Sequence, residues 1–104
     1  MKQTDTNGMK AEIADASTPL VIDLHAEWCG YCTRMQPHID RLATEREGTI
    51  RFVGSDVDDN EELYKILGVK TLPLVVLYKD GVEVARRGSG DYKGLSAWLA
   101  ENGL

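Results

Sequence analysis

Cys29 and Cys32 are the only cysteines in this chain of 104 residues, and two residues separate them. Thiols at this spacing come close enough to close a disulfide, but the loop would be too short to stabilise a domain. The pair is therefore predicted to do redox chemistry. A CxxC pair is also half of a zinc site, so a metal centre is the alternative to weigh.

The segments on either side of the pair predict where it lies in the fold. An apolar run over residues 20–24 precedes it and is typical of a buried strand, and apolar residues recur at helical spacing over 35–42. Cys29 is thus predicted at a helix start, with Cys32 one turn further on. Unpaired N–H groups and the helix dipole there favour thiolate, the reactive form of cysteine.

A structural zinc ion would need two further ligands in tetrahedral geometry. The only histidines are His25 and His38. His38 lies about 600° around the predicted helix from Cys32 and so on another face. His25 falls on the predicted strand, where packing is the simpler interpretation and tuning of the nearby thiols is the alternative. We therefore predict a redox pair that needs no metal ion and no organic cofactor.

Composition and charge narrow the class of protein. Apolar residues make up 42% of the chain and charged residues 28%, which suits a single domain over residues 1–104. The net charge of −5 argues against nucleic-acid and membrane partners. No apolar run reaches transmembrane length, and residues 1–8 lack the apolar core of a signal peptide. We expect a monomer in a reducing, cytoplasmic compartment.

Two further features connect the cysteine pair with a known family. Trp28 directly precedes the pair, and Thr71-Leu72-Pro73 comes just before a later predicted strand. With these motifs the chain resembles the thioredoxin family from about residue 17 to its end. The family motif is Trp-Cys-Gly-Pro-Cys, and Tyr31 stands here in place of the proline. The resemblance implies an α/β thioredoxin fold, with a central mixed β-sheet flanked by helices on both faces.

The resemblance also implies roles for the matching residues. Cys29 is the expected nucleophile, Cys32 the thiol that resolves the mixed disulfide, and Asp23 a buried base that deprotonates Cys32. A cis bond is expected before Pro73, beside a groove that pairs with extended substrate segments. The expected substrate-binding residues are Trp28, Gly30, Tyr31, Leu72, Pro73 and Gly88.

Two positions depart from the family pattern. Gly54 takes the place where thioredoxins commonly carry a lysine beside the buried acid, so Asp23 is expected to lack a cationic neighbour. Burial without that charge should raise the pKa of Asp23. His25 stands where an aromatic residue is usual.

Local signals predict the order β, α, β, α, β, β, α along the chain, with early strands parallel and a final antiparallel hairpin. One helix is expected over 30–47, with Pro37 inside it, and another after Asp91. Strands are expected over 50–57, 74–79 and 82–87, and the turn Asp80-Gly81 joins the last two. Before them we expect a helix over 9–16 with Asn7 as N-cap, and a first strand that is short or missing.

A further helix is predicted to end at Leu67, before Gly68. Asp58 is its expected N-cap, with Glu61 completing a capping box. Its apolar face is expected to contain Leu63, Ile66 and Leu67.

The predicted function is a thiol–disulfide oxidoreductase that reduces protein disulfides and is regenerated by a thioredoxin-reductase-like electron donor. Tyr31 in place of proline predicts a somewhat weaker reductant than a typical thioredoxin. Two alternatives remain open. One is a glutaredoxin-like, glutathione-dependent enzyme, which the stretch Gly88-Ser89-Gly90-Asp91 faintly suggests. The other is a non-catalytic binding module with a thioredoxin fold.

Overall fold

The structure, a computed structural model, describes residues 1–104. Its strands are β1 (Lys2–Gln3), β2 (Leu20–His25), β3 (Arg51–Asp56), β4 (Leu74–Lys79) and β5 (Val82–Arg87). Its helices are α1 (Thr6–Ala14), α2 (Gly30–Glu45), α3 (Glu61–Leu67) and α4 (Tyr92–Glu101), with a 3-10 turn over Val57–Asp59. The predicted order of elements is confirmed. No helix combines the length and the hydropathy that crossing a membrane requires.

The five strands form one mixed sheet in the order β1-β3-β2-β4-β5. β2 is central, parallel to β3 and antiparallel to β4. The parallel pairs are joined through helices, whereas β4 and β5 form an antiparallel hairpin. At its turn, Asp80 and Gly81 both have positive φ, 56° and 78°, as an Asp-Gly hairpin requires. The predicted fold class is confirmed.

Alternate side chains of β2 enter two separate cores. Val21 packs with α2 and α4, where Ile39 and Leu99 are fully buried. Leu20, Ile22 and Leu24 point the other way, into a core with Met9 of α1 and Leu63 of α3. Both faces of β2 are therefore covered, which explains why its sequence is apolar almost throughout. Asp23 shares the face of Val21, on the side of α2.

The first helix starts earlier than the sequence suggested. The side chain of Asp5, not Asn7, is the N-cap and accepts a hydrogen bond from the Gly8 N–H at 2.8 Å. Asn7 lies inside the first turn, so the prediction of an Asn7 cap was wrong. The expected cap of α4 is confirmed, because Asp91 accepts from the Gly94 N–H at 2.8 Å.

The predicted start of α3 was also wrong. Asp56 caps the 3-10 turn by accepting from the Asp58 N–H at 2.8 Å, which places Asp58 inside that turn. α3 begins only at Glu61, and Asn60 at its N-cap makes no capping bond. The Asn60 side chain instead accepts from the Thr6 N–H of α1 at 2.9 Å. The predicted capping box is therefore absent, and the residue at the N-cap of α3 bonds to α1 instead.

The inward face of α3 differs from the predicted one at two positions. Leu63 and Leu67 are buried as expected, but Ile66 is 55% exposed. Tyr64 is buried instead, and its hydroxyl donates to the Ser55 carbonyl at 2.7 Å. Gly68, with φ of 66°, ends the helix as predicted.

The ends of α2 and β3 fall close to their predicted limits. α2 runs to Glu45, two residues short of the predicted end, and contains Pro37. A turn begins at Arg46, whose carbonyl accepts hydrogen bonds from the Thr49 and Ile50 N–H groups, each at 3.0 Å. Because of this turn, β3 begins at Arg51, one residue later than predicted.

Candidate active site

Cys29 and Cys32 lie at the carboxyl end of the central strand, as predicted, and are joined in a disulfide. Cys29 is the N-cap of α2 and Cys32 lies in its first turn, with 5.3 Å between their Cα atoms. Both are buried, at 7% and 4% exposure. The Cys32 N–H donates to the Cys29 sulfur at 3.2 Å. In the reduced protein, a hydrogen bond of this kind favours the Cys29 thiolate.

Asp23 is the buried acid of this site, only 1% exposed. Its Oδ1 has no hydrogen-bond partner. Burial raises the pKa of the Asp23 carboxyl to about 6, opposed by the charge of His25 and reinforced by that of Asp40. The predicted burial and raised pKa are both confirmed. A carboxyl with this pKa can accept and return a proton near neutral pH.

Gly54 pairs directly with Asp23 across the ladder between β2 and β3. As expected, no side chain extends from the position next to the acid. The space is taken by Gln3 of β1, whose amide lies within 3.0 Å of where a Cβ of residue 54 would stand.

Two exposed aromatic rings flank the disulfide in sequence. Trp28 is 70% exposed and Tyr31 is 64% exposed, so Trp28 is not a core residue. The Trp28 indole N–H donates to Asp58 Oδ2 at 3.1 Å, which fixes the orientation of the ring. The Arg34 guanidinium lies 4.6 Å from the centre of the Tyr31 ring. Both rings are available to a docking partner.

The structure brings the late motif to the cysteines. The Leu72-Pro73 bond is cis, as predicted. Leu72 packs against the small cluster formed by Ala26 and the two cysteines. A Cβ at Gly88 would stand 4.0 Å from the Pro73 carbonyl, so Gly88 borders the same segment.

Gly30 is the first helical residue of α2, between Cys29 and Tyr31. A Cβ added there would meet only the tip of Arg34, at 3.3 Å. All the predicted site residues therefore lie in the β2–α2 segment or beside the cis bond.

Two further polar residues belong to this site: His25, for which tuning of the thiols was only the alternative to packing, and Tyr64, which was not predicted. His25 was expected to pack, yet it is only half-buried and its Nε2 lies 2.8 Å from Gln3 Oε1. Tyr64 places its hydroxyl 3.1 Å from the His25 carbonyl as well as on Ser55, and burial raises its pKa above the ordinary value. The sequence signal for His25 was its departure from the usual aromatic residue. Nothing in the pattern of α3 indicated Tyr64.

No group of three or more His, Cys, Asp or Glu side chains is placed to hold a metal ion. His38 contributes instead to a surface groove with Tyr31 and Asp91.

Comparisons with known proteins agree on one family. The family model for thioredoxin matches residues 1–101. A thioredoxin of Pseudomonas aeruginosa is 32% identical over 92 residues, 88% of this chain and 85% of its own length. Thioredoxin C-2 of Corynebacterium nephridii is 31% identical over 100 residues, 95% of this chain and 92% of its own. The X-ray structure of Fasciola hepatica thioredoxin superposes with a TM-score of 0.87 at 29% identity, covering 97% of this chain and 98% of that one.

Proposed function

The chain belongs to the thioredoxin family, and on that premise we propose how its cysteines divide the work: Cys29 attacks the substrate and Cys32 releases it. The protein is a thiol–disulfide oxidoreductase that reduces protein disulfides and receives its electrons from a reductase. The observation that supports the division is the hydrogen bond from the Cys32 N–H to the Cys29 sulfur at the helix N-terminus. Cys29 is thereby the better-stabilised thiolate.

The reaction takes two exchanges. The Cys29 thiolate attacks one sulfur of the substrate disulfide, a new S–S bond forms, and the other substrate sulfur leaves as a thiolate. Cys32 gives its proton to the Asp23 carboxylate and attacks Cys29, which breaks the mixed disulfide and releases the second substrate thiolate. Both substrate thiolates take protons from solvent. The protein ends oxidised, in the disulfide form of the structure.

The substrate is proposed to dock beside the cis bond. Trp28 and Tyr31 offer exposed rings for apolar side chains. The backbone at Leu72 and Pro73 supplies hydrogen-bonding groups for an extended segment, as in recognition at a sheet edge. Gly88, without a side chain, leaves room for that segment.

We propose a thioredoxin-reductase-like protein as the electron donor, a monomeric enzyme and a cytoplasmic location. The net charge of −5 supports protein partners over nucleic acid or membrane. Neither alternative function is favoured. The relatives named above are thioredoxins rather than glutaredoxins, and both cysteines needed for catalysis are present.

Insulin-disulfide reduction coupled to a thioredoxin reductase tests this function, with a glutathione-coupled assay beside it. Turnover is expected only with the reductase. Cys32→Ser is expected to accumulate covalent substrate complexes and Cys29→Ser to form none, as scored on non-reducing gels. Accumulation in Cys29→Ser instead would reverse the assignment, and glutathione-driven turnover would favour the glutaredoxin-like alternative.

A further inference from the structure

The buried carboxyl of Asp23 needs a route by which its proton exchanges with solvent. The side chain is 1% exposed and its Oδ1 has no partner. Its ladder partner, Gly54, offers no side chain to carry the proton. Another residue on the same face of the sheet is therefore the candidate route. His25 is two residues along β2 and so shares that face.

Gln3 holds the ring of His25 across an intervening strand. β1 and β2 do not pair with each other, because both pair with β3. A Cβ at position 54 would stand 2.5 Å from Gln3 Nε2, closer than real side chains approach. Glycine at this one position lets the Gln3 side chain lie over β3 and bring Oε1 to 2.8 Å from His25 Nε2.

This contact leaves one nitrogen of the imidazole available. With Gln3 Oε1 as acceptor, His25 Nε2 carries the hydrogen and Nδ1 keeps a lone pair. Imidazole is the side chain best suited to gain and lose a proton near neutral pH. A histidine held in this way is able to carry a proton.

His25 and the resolving cysteine, Cys32, border the same pocket. The pocket is open and has a volume of about 200 Å³. The other lining residues are Ala26, Glu27, Thr33 and Gln36. No lysine or arginine is among them, so His25 is the only side chain of this pocket that can carry a positive charge. The pocket is wide enough for solvent, since a water molecule occupies about 30 Å³.

We propose that His25, oriented by Gln3, takes the proton of Asp23 as Cys32 is deprotonated and returns it to solvent. The proposal rests on Asp23 being the base of the proposed function. During resolution the Cys32 proton passes to Asp23, the Cys32–Cys29 bond forms, and the bond between Cys29 and the substrate breaks. Its electron pair leaves with the substrate sulfur, which is protonated by solvent. In the same step the imidazole of His25 takes the proton from Asp23 and releases it into the pocket, so that resolution depends on His25.

The charges around the ring fit a carrier of positive charge. Asp23 lies on the same strand, and Asp56 is the ladder partner of His25 on β3. Glu27 lines the pocket. Asp40 of α2 acts on the charge of Asp23. The neutral groups are Gln3 of β1, which contacts the ring, and Gln36 of α2, which lines the pocket, whereas Tyr64 of α3 donates only to the His25 backbone carbonyl.

The test separates attack from resolution by rapid quench with a disulfide peptide. Attack is measured in the Cys32→Ser background, and full turnover with both cysteines present. His25→Phe is expected to leave attack unchanged and to slow resolution about tenfold at pH 7, within the range of general acid–base effects. Gln3→Leu is expected to slow resolution by less, because the ring is present but not held.

A structural role is separated by chemical rescue. Free imidazole is expected to restore resolution in His25→Ala, whose pocket is larger, and to leave the wild type unchanged. His38→Phe is the matched control, because His38 is the only other histidine and lies outside this pocket. Circular dichroism and thermal melts show that each variant is folded.

Failure of this inference differs from failure of the proposed function. Resolution in His25→Phe equal to wild type across pH 5–8, with Asp23→Asn still slow, would overturn the role of His25 alone. Slow resolution in His25→Ala that imidazole does not rescue would make it structural and would equally overturn the role. Normal resolution in Asp23→Asn would remove the base itself, and the role of His25 with it.

Discussion

Asp23 and Gly54 are direct partners in the parallel ladder between β2 and β3. The one buried acid of the chain thus lies beside a residue without a side chain. Burial therefore acts on the carboxyl with no lysine or arginine opposing it, and its pKa rises to about 6. The stability of the protein should accordingly depend on the charge state of this single group.

Asp23 should make the oxidised protein less stable as pH rises. The pKa of its carboxyl is about 6 in the folded state against an ordinary value of 3.8, a difference that corresponds to about 3 kcal/mol. Below the unfolded pKa the carboxyl is protonated in both the folded and the unfolded state, and its full contribution to the free energy of unfolding is present. As pH rises through the folded pKa, the native carboxyl must ionise in a buried place and that stability is lost.

Urea unfolding of wild type and Asp23→Ala between pH 3.5 and 7.5 measures this effect. The difference between the two curves isolates Asp23 from the other acids. The free energy of unfolding of Asp23→Ala is expected to increase relative to that of the wild type across pH 4–6. The variant is also expected to release substrate more slowly. A variant less stable than wild type at pH 7 would show that the carboxyl is paired rather than buried alone.

The contact between Gln3 and Gly54 can be measured by a double-mutant cycle. Gly54→Ala places a Cβ 2.5 Å from the Gln3 amide and is expected to displace this flexible side chain, at a cost of about 0.5–1.5 kcal/mol through loss of its hydrogen bond to His25. In a Gln3→Ala background the same change should cost much less, because the colliding amide is gone. Equal costs in both backgrounds would show that Gln3 does not occupy this space.

Gly54→Lys combined with Gln3→Ala supplies the missing cation. A lysine beside Asp23 should lower the pKa of the acid, so the loss of stability across pH 4–6 should shrink relative to Gln3→Ala alone. The control is Gly54→Met in the same background, which adds similar bulk without charge. An unchanged pH dependence in the lysine variant would place its ammonium away from Asp23.

Tyr64→Phe is expected to destabilise the protein by about 1–2 kcal/mol. The change removes the donor to the Ser55 carbonyl, a buried bond of 2.7 Å that joins α3 to the end of β3. Tyr92→Phe is the matched control, because that hydroxyl donates to the exposed Glu45 carboxylate at 3.0 Å. The control should lie within about 0.5 kcal/mol of wild type. Equal effects in thermal melts would contradict a special role for Tyr64.

Tyr31 is expected to set the direction of electron flow. We expect a reduction potential above about −270 mV and below about −200 mV, as for a reductant weaker than a typical thioredoxin. Tyr31→Pro should move it in the negative direction, and position 31 in the first turn of α2 can accept proline. Tyr31→Phe, which keeps the ring beside Arg34, should change it little. Equilibration with glutathione buffers measures all three, and a wild-type value near −120 mV would indicate an oxidant instead.

The sequence by itself determined the features that depend on neighbours along the chain. The cysteine pair, the strand before it and the helix after it were predictable because apolar periodicity and helix starts are local properties. The Asp80-Gly81 hairpin was predictable for the same reason. The resemblance to thioredoxins supplied the cis bond and the position of Asp23.

Tertiary structure decided the features that depend on contacts distant in sequence. The Asn60 side chain bonds to α1 and makes no capping bond to α3. Tyr64 is buried and donates to carbonyls at the strand ends, whereas Ile66 is exposed. The link from Gln3 to His25 depends on β1 and β2 lying on either side of β3. Sequence periodicity cannot predict this contact. Side chains from two strands that do not pair with each other can meet only when the strand order places a third strand between them and that strand carries a glycine at the crossing point.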